Sequence, residues 1–272
     1  MIDPAYIDIG YLISAALFIF GLKKLGHPRT APKGNQYGMM GMATAIITTL
    51  VKLEIETGLI GWKYIVAGVL IGSLIGYIMA VRVEMTGMPE LVALFNGFGG
   101  AASALVALSE ALQRINSNDI PTDSLTLWVI WVAIGLSALV GWMTLTGSIL
   151  AMFKLKGGIE VFGKWISTPT WGPPWLNPVK MICATSVFVL IYLSATEPLN
   201  TDYVWYIVGL SSLLGILLVL PIGGADMPVV VSLLNSLSGI AAAFTGFIIG
   251  NSVLIIAGSL VGASGLILTF IM

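Results

Sequence analysis

The amino-acid sequence predicts an all-α fold, a polytopic bundle in which about nine helices cross a membrane. Hydrophobic residues make up 57% of the 272 residues, charged residues only 9%, and the mean hydropathy is +0.99. Soluble domains carry about 25% charged residues, so this chain has too little charge to cover a surface that faces water. Its net charge of −1 gives no indication of a nucleic-acid partner.

Nine apolar segments account for most of the chain, and most of them reach the roughly 20 residues that cross a hydrocarbon core about 30 Å thick. The second segment is short, and only Gly250 and Asn251 separate the last two. No soluble domain is evident between them, so residues 1–272 are expected to form a single transmembrane domain. In chain order the segments cover residues 5–25, 37–53, 62–82, 88–112, 125–153, 178–195, 202–222, 227–249 and 252–272.

The basic residues predict the orientation, because an odd number of spans places the two termini on opposite sides. With the N-terminus outside, the inner loops hold nine lysines and arginines and the outer loops hold three. This positive-inside bias predicts a cytoplasmic C-terminus. The chain start has no basic n-region and no A-x-A cleavage site, so the first segment is expected to be a mature span.

Two spans begin with related sequences. The runs MPELVALFNGFGGAASALVA (88–107) and MPVVVSLLNSLSGIAAAFTG (227–246) agree without gaps at eight of twenty positions. The agreement includes the Met-Pro start, an asparagine and a glycine four residues later, and both following segments carry Leu-Val-Gly, at 139–141 and 260–262. Proline suits the first turn of a helix, where its missing N–H is not needed. The pattern indicates a parallel internal repeat.

The polar residues of these spans have two interpretations. Asn96 and Asn235 lie about 10 Å along their helices from the prolines, and Ser232, Asn235 and Gly239 share one helix face by i, i+3, i+7 spacing. Such residues can simply bond a neighbouring helix, for about 1 kcal/mol. They can also line a polar pathway at the interface between repeats. The acid Asp226 at the helix start favours the pathway.

The remaining polar residues leave alternatives open. Asp226 can act as the N-cap of the eighth helix or as an acid at the end of the pathway. Glu90 suits the positive end of the fourth helix dipole, and Glu84 can pair with Arg82. Ser148 either faces a polar seam or bonds back to its own helix.

Other motifs point away from covalent chemistry in this chain. Gly258, Gly262 and Gly265 form a close-packing surface of the small-xxx-small kind, without the strand and G-x-G-x-x-G pattern of a dinucleotide site. His27 lies in the basic loop KKLGHPR, and the lone Cys183 excludes an intramolecular disulfide. The sequence contains no Walker motif, metal cluster or nucleophile–base arrangement. It therefore predicts no metal site, no bound cofactor and no hydride-transfer residue.

Three runs carry a resemblance to a known family: VEMTGMPELVALFNG (83–97), GGADMPVVVSLLNSLSG (223–239) and GSLVGASG (258–265). They resemble the membrane domain of the β subunit of proton-translocating nicotinamide nucleotide transhydrogenase, and the resemblance covers nearly the whole chain. It implies an enzyme complex in which hydride passes between NAD(H) and NADP(H) while a proton crosses the membrane. The nucleotides would bind to partner domains, and this chain would carry the proton.

The resemblance implies roles for individual residues. Asn235 matches a functional asparagine of the proton path, Ser148 a pathway serine, and Asp226 an acid near the cytoplasmic mouth. The expected proton path comprises Asn235, Asn96, Ser148, Ser232 and Asp226. The expected coupling residues at the cytoplasmic mouth are Glu84, Glu90 and Asp226, and the expected glycine face of the last helix is Gly258, Gly262 and Gly265.

Two positions depart from the family pattern. Gly87 stands where the family has the second acid of its E-M-T-E-M-P-E-L run. Asn96 stands where the family commonly has a proton-carrying histidine, and asparagine does not titrate near neutral pH. The switching group is therefore expected to come from a separate membrane subunit.

The resemblance also implies the other partners. They are α-type subunits, an NADP-binding domain expected to follow Met272, a second copy of the assembled unit, and the lipid of a bacterial inner membrane. Two alternatives remain at this stage. One is a secondary transporter for a small solute or ion, and the other is a structural membrane anchor.

Overall fold

A computed structural model describes residues 4–57, 61–117, 121, 123–161, 164–168 and 170–272. Within these ranges nine helices are long and apolar enough to cross a membrane. The predicted all-α bundle is confirmed, and the chain is a multi-pass membrane protein. The helices are α1 Pro4–Leu25, α2 Ala31–Thr57, α3 Trp62–Arg82, α4 Met88–Ser117, α5 Ser124–Leu155, α6 Leu176–Thr196, α7 Thr201–Val219, α8 Met227–Ile248 and α9 Ser252–Ile271.

Several helices extend beyond the apolar segments by polar turns. α2 begins at Ala31 rather than near residue 37, because its early Pro32 lies in the first turn, where proline is tolerated. α4 continues to Ser117, and its last turns contain an ion pair between Glu110 and Arg114 at 2.8 Å. Hydropathy marks the part of a helix that lies in lipid, whereas local polar contacts determine where it ends.

The chain divides into two compact units, residues 1–82 and 83–272. In the first unit α1 and α2 form a closely packed pair, in which the buried Ser14 hydroxyl donates to the Gly41 carbonyl oxygen at 2.7 Å. A Cβ added to Gly21 would lie 3.1 Å from the Gly34 carbonyl oxygen. α3 has no buried residue.

In the second unit α5 is the central helix, and α4, α6, α7 and α8 all pack against it. Its buried face carries small residues and a few large ones, among them the fully enclosed Trp131. α8 packs against α4, α5 and α9. The places where α4, α5 and α8 meet are therefore the interior of this unit.

The connection between α5 and α6 contains a short antiparallel hairpin that was not predicted from the sequence. Strand β1 Gly158–Val161 pairs with β2 Lys164–Ser167, with Gly158 opposite Ser167. Gly157 precedes β1 with φ of 80°, a conformation that glycine adopts without strain. The hairpin lies in a loop and leaves the helical fold class unchanged.

The predicted repeat appears in the backbone at the start of α4 and α8. A three-residue 3-10 turn precedes each helix, η1 Met85–Gly87 and η2 Gly224–Asp226. The residues before these turns have nearly the same conformation, with φ −75° and ψ 158° at Glu84 and φ −76° and ψ 160° at Gly223. We call the side of the second unit where α4 and α8 begin the proline side.

The contacts between helices show which residues of the two repeated helix pairs correspond. The first pair is the helical hairpin of α4 with α5. A Cβ added to Gly141 of α5 would lie 2.5 Å from the Gly100 carbonyl oxygen and 2.7 Å from the Cβ of Ala104. Any side chain at this position would therefore separate the two helices.

The second hairpin, α8 with α9, has an equivalent contact. A Cβ added to Gly258 would lie 2.6 Å from both the Gly239 carbonyl oxygen and the Ala243 amide nitrogen. These two residues are the repeat counterparts of Gly100 and Ala104, so Gly258 takes the place of Gly141. An alignment on the shared Leu-Val-Gly motif would instead match Gly141 with Gly262. That alignment differs from the one given by the contacts by one helical turn.

Candidate functional site

Asn96 connects three helices through its side chain. Its Nδ2 donates to Ser148 Oγ at 3.1 Å, which joins α4 to α5. Its Oδ1 accepts from Ser238 Oγ at 2.8 Å, which joins α4 to α8. We call Asn96, Ser148 and Ser238 the asparagine cluster.

The cluster answers the question that spacing left open for Ser148. This serine is 1% exposed and faces a polar seam between helices, where it accepts from Asn96. The structure thus brings together two of the predicted pathway residues. Ser238 is an addition to the predicted residues, because it lies outside the face of α8 that residues 232, 235 and 239 share.

Thr144 extends the polar seam along α5. It lies one turn from Ser148, about 6 Å along the helix axis, and it is fully buried. Its Oγ1 has no hydrogen-bond partner within the part of the chain that the structure describes. A buried hydroxyl without a partner costs about 1–3 kcal/mol, so Thr144 Oγ1 is a destabilising feature of this seam.

A second polar contact, which is fully buried, joins the same three helices farther from the proline side. Ser137 Oγ lies 2.8 Å from Thr245 Oγ1, and both hydroxyls lie 3.3 Å from the Ser103 carbonyl oxygen. Ser137, Thr144 and Ser148 are spaced i, i+7, i+11 in α5. That spacing places all three on one face, and it is the sequence signal that could have identified the whole seam.

Asn235 differs from its repeat counterpart Asn96. Its side chain is exposed, and it makes no hydrogen bond to any residue within the described ranges. The helices beside it do not supply the hydroxyl that Ser148 supplies to Asn96.

The packing of the two hairpins explains this difference. In the first, a Cβ added to Gly97 would lie 2.9 Å from the Cβ of Ser148. In the second, a Cβ added to Gly265 would lie 2.9 Å from the Cβ of Ser236. Ser236 is the counterpart of Gly97 and Gly265 the counterpart of Ser148, so serine and glycine have exchanged helices. The position that would hold a hydroxyl for Asn235 is therefore a glycine.

Ser232 lies on the α9 side of α8, apart from the asparagine cluster. Its Oγ donates to the Gly265 carbonyl oxygen at 3.3 Å and accepts from Thr269 Oγ1 at 3.2 Å. The buried Ser236 likewise donates to the Gly262 carbonyl oxygen at 2.5 Å. These two serines connect α8 to α9.

The glycine face of the last helix lies in the same interface. Gly258, Gly262 and Gly265 are buried, and each is close enough to α8 that an added Cβ would lie 3.0 Å or less from an α8 atom. The glycines therefore allow the backbones of α8 and α9 to approach closely.

The predicted acids lie on the proline side of the unit. Asp226 is exposed at the end of η2. It occupies the N-cap position of α8, but its side chain makes no capping hydrogen bond, so the predicted capping contact is wrong. Glu84 is exposed, and Glu90 is half-buried in the first turn of α4. The pairing of Glu84 with Arg82 stays a prediction. Gly87 and Asp226 are repeat counterparts, each the last residue of its 3-10 turn.

No group of three or more His, Cys, Asp and Glu side chains converges on a metal-sized site among the residues that the structure describes. The single cysteine, Cys183, is free and buried. The chemistry of the site is thus that of amides, hydroxyls and a few carboxylates at one end.

Comparison with known proteins assigns the chain to a family. The family model described as NAD(P) transhydrogenase beta subunit matches residues 7–272. The NAD(P) transhydrogenase subunit beta of Rhodospirillum rubrum is 43% identical over 267 residues, which cover 96% of this chain and 54% of the relative. The same subunit from a named strain of that species gives the same values, so the chain spans about half the length of these curated relatives. The chain therefore belongs to the NAD(P) transhydrogenase beta subunit family.

Proposed function

We propose that this chain is the proton-carrying membrane part of an NAD(P) transhydrogenase. It would couple hydride transfer between NAD(H) and NADP(H), both bound by partner domains, to proton movement across a bacterial inner membrane. The observation that carries the proposal is the asparagine cluster, a partly buried polar contact where three membrane helices of a transhydrogenase-family chain meet. Family membership does not favour the solute-transporter alternative.

The cluster can relay a proton but cannot store one. Amide and hydroxyl groups pass protons through ordered water, whereas a pump must hold a proton on a group with a pKa near the working pH. Histidine has such a pKa, about 6.5 when unperturbed, and the only histidine of this chain, His27, lies in the loop between α1 and α2. We therefore propose that a separate membrane subunit supplies a histidine or carboxylate beside Asn96 and Asn235. The exposed Asn235 supports this, since its amide is available to another chain.

We further propose an orientation for the pathway. With the N-terminus outside and the C-terminus cytoplasmic, the proline side faces the cytoplasm. Asp226, Glu84 and Glu90 would then form the cytoplasmic mouth, next to an NADP-binding domain that follows Met272 and whose redox state biases Asp226. The assembled unit would be a homodimer with α-type subunits.

Proton flux in liposomes tests the proposal. The assembled enzyme should acidify or alkalinise the vesicle lumen when nucleotides are added, as read by a pH-sensitive dye, and this chain alone should not. Asn235→Ala should lower the proton-coupled hydride transfer by at least about tenfold, an effect of 1.4 kcal/mol, and should spare the uncoupled reaction of the soluble domains. Loss of both reactions, or of neither, would support a structural anchor.

A rescue experiment tests the partner's contribution. When the partner's titratable membrane residue is removed, Asn96→His should restore part of the nucleotide-dependent proton movement, because it returns a titratable group to the cluster. Asn251→His, at the N-cap of α9 and away from the cluster, is the control and should restore none. Pumping by this chain without any partner would contradict the proposal.

A further inference from the structure

Lys154 is a buried cation that the proposed pathway does not use. It lies in the last turn of α5 and is 5% exposed. Its Nζ donates to the Leu220 carbonyl oxygen at 2.5 Å and to the Ile222 carbonyl oxygen at 2.6 Å. No carboxylate pairs with it among the residues described here, so its hydrogen bonds to these two carbonyl oxygens are what compensate its burial.

The two acceptors lie just after the end of α7. The final carbonyl groups of a helix have no partner within the helix, and here the lysine supplies one. The Leu220 carbonyl oxygen also accepts from the Trp171 amide at 3.4 Å, and a Cβ added to Gly172 would lie 2.7 Å from the Cβ of Pro221. The turn after α7 is thus held by α5 and by the segment that precedes α6.

Two helix C-termini meet near the Lys154 ammonium group. α5 and α7 both end here, and the C-terminal end of a helix carries a partial negative charge of about half a unit. An ammonium group is stabilised by that charge, whereas a methionine of similar length would fill the space without bonding either carbonyl. A hydrogen-bond donor at this position can thus bond both carbonyl groups, which an apolar side chain of the same size cannot.

The same end of α5 touches the segment that leads to Asp226. A Cβ added to Gly224 would lie 3.1 Å from the carbonyl oxygen of Lys154. Gly224 begins η2, and Asp226 ends it. The side chain of Lys154 thus holds residues 220 and 222, and its backbone lies against residue 224.

We propose that Lys154 is a positioning residue, which locks the turn between α7 and α8 and thereby fixes Asp226 at the end of the pathway. The link to proton coupling rests on the function proposed for Asp226 above. The restraint of the turn by Lys154 is a property of this chain, and it is measured without nucleotides.

A spin label measures directly how strongly Lys154 restrains the turn between α7 and α8. Ala225 is exposed, so Ala225→Cys accepts a nitroxide label, with Cys183→Ser to remove the native thiol. Lys154→Met should increase the mobility of the label. Lys154→Arg, which keeps the charge and the hydrogen-bond donors, should lower that mobility again in part. Lys156→Met is the matched control, because Lys156 is exposed two residues away, and it should leave the spectrum unchanged. Equal spectra for Lys154→Met and Lys156→Met would overturn the lock.

Activity of the assembled enzyme tests the link to Asp226. Lys154→Met should lower proton-coupled hydride transfer about fivefold or more at unchanged KM for nucleotide, an effect of about 1 kcal/mol. Lys156→Met should have no effect. A label freed by Lys154→Met together with full coupling would overturn the link while the lock stands.

Hydrogen exchange of the unmodified chain keeps the inference testable if Lys154→Met does not fold. The amides of Leu220 and Ile222 and those of Glu197 and Asn200 all make one backbone hydrogen bond next to α7. The first pair lies in the locked turn and should exchange about tenfold more slowly than the second. Equal rates would overturn the lock.

Discussion

Asn96 and Asn235 occupy the same position in two related helices, yet their side chains have different surroundings. Asn96 uses both ends of its amide, as a donor to Ser148 and as an acceptor from Ser238. Asn235 is exposed and uses neither end within the described residues. The first is thus part of the structure of this chain, whereas the second is available to a partner.

The two asparagines should therefore differ in their effect on stability. Asn96→Ala removes two hydrogen bonds between helices and should lower the free energy of unfolding by about 1–2 kcal/mol. Asn235→Ala removes none and should change it by less than about 0.5 kcal/mol. Thermal or denaturant unfolding in detergent measures both. An equal loss would show that Asn235 has a partner within this chain.

At the scale of helices, the α4–α5 and α8–α9 hairpins close on matched small residues. The contact of Gly97 with Ser148 in one is the contact of Ser236 with Gly265 in the other. Each interface has space for one serine hydroxymethyl group. In the first pair the serine lies on the second helix, and in the second pair it lies on the first helix.

A double substitution tests this exchange. Gly265→Ser alone places a Cβ 2.9 Å from that of Ser236 and should destabilise the chain by about 1–3 kcal/mol through overpacking. Adding Ser236→Gly should recover much of that loss, because it recreates the first hairpin's pairing and offers a hydroxyl to Asn235. Unfolding of the two single variants and the double variant gives the coupling energy. Simple additivity would contradict the exchange.

The N-terminus of α5 gives a prediction about pH. The Asp123 carboxylate accepts from the Thr126 hydroxyl at 2.7 Å and from the Thr126 amide at 2.9 Å, and these hydrogen bonds lower the pKa of Asp123 below its ordinary value of 3.8. Because the folded-state pKa lies below the unfolded one, the stabilisation is complete above about pH 4 and is lost as the pH falls through the folded value.

Asp123→Ala should therefore destabilise the chain above pH 4, and the difference from the wild type should shrink in more acidic solution. Asp123→Asn retains a capping oxygen without a charge and is the control, since its own capping does not depend on pH in this range. Unfolding measured between pH 2 and pH 6 distinguishes them. A constant difference across that range would rule out the carboxylate as the source of the effect.

At the scale of the whole molecule, the proposed orientation places successive turns on opposite sides of the membrane. Leu199, before α7, and Ala225, before α8, are both exposed and lie at opposite ends of α7. A membrane-impermeant thiol reagent added outside should label Leu199→Cys and should miss Ala225→Cys until the membrane is permeabilised. The reverse pattern would invert the orientation and place Asp226 outside.

The sequence was sufficient for the spans, because a run of about 20 apolar residues has few alternatives to a membrane helix. It also predicted that Asn96, Ser148 and the second Met-Pro helix belong to one site. It could not predict which neighbour each face of α8 meets. Ser232 and Ser238 lie six residues apart on different faces, and only packing shows that one contacts α9 and the other α4. Nor could it predict that Lys154 is buried, since the carbonyl groups that bind it come from residues 66 and 68 positions away.

The serine–glycine exchange gives the asparagines of two related helix pairs different surroundings. Moving one hydroxymethyl group from the second helix of a pair to the first preserves the packed volume, so neither copy loses its shape. The copy with the hydroxyl on its second helix satisfies its asparagine internally. The other pair leaves its asparagine amide exposed, and lipid could not form hydrogen bonds with it. An amide that its own helix pair leaves without a hydrogen bond is thus a group that assembly with another chain can satisfy.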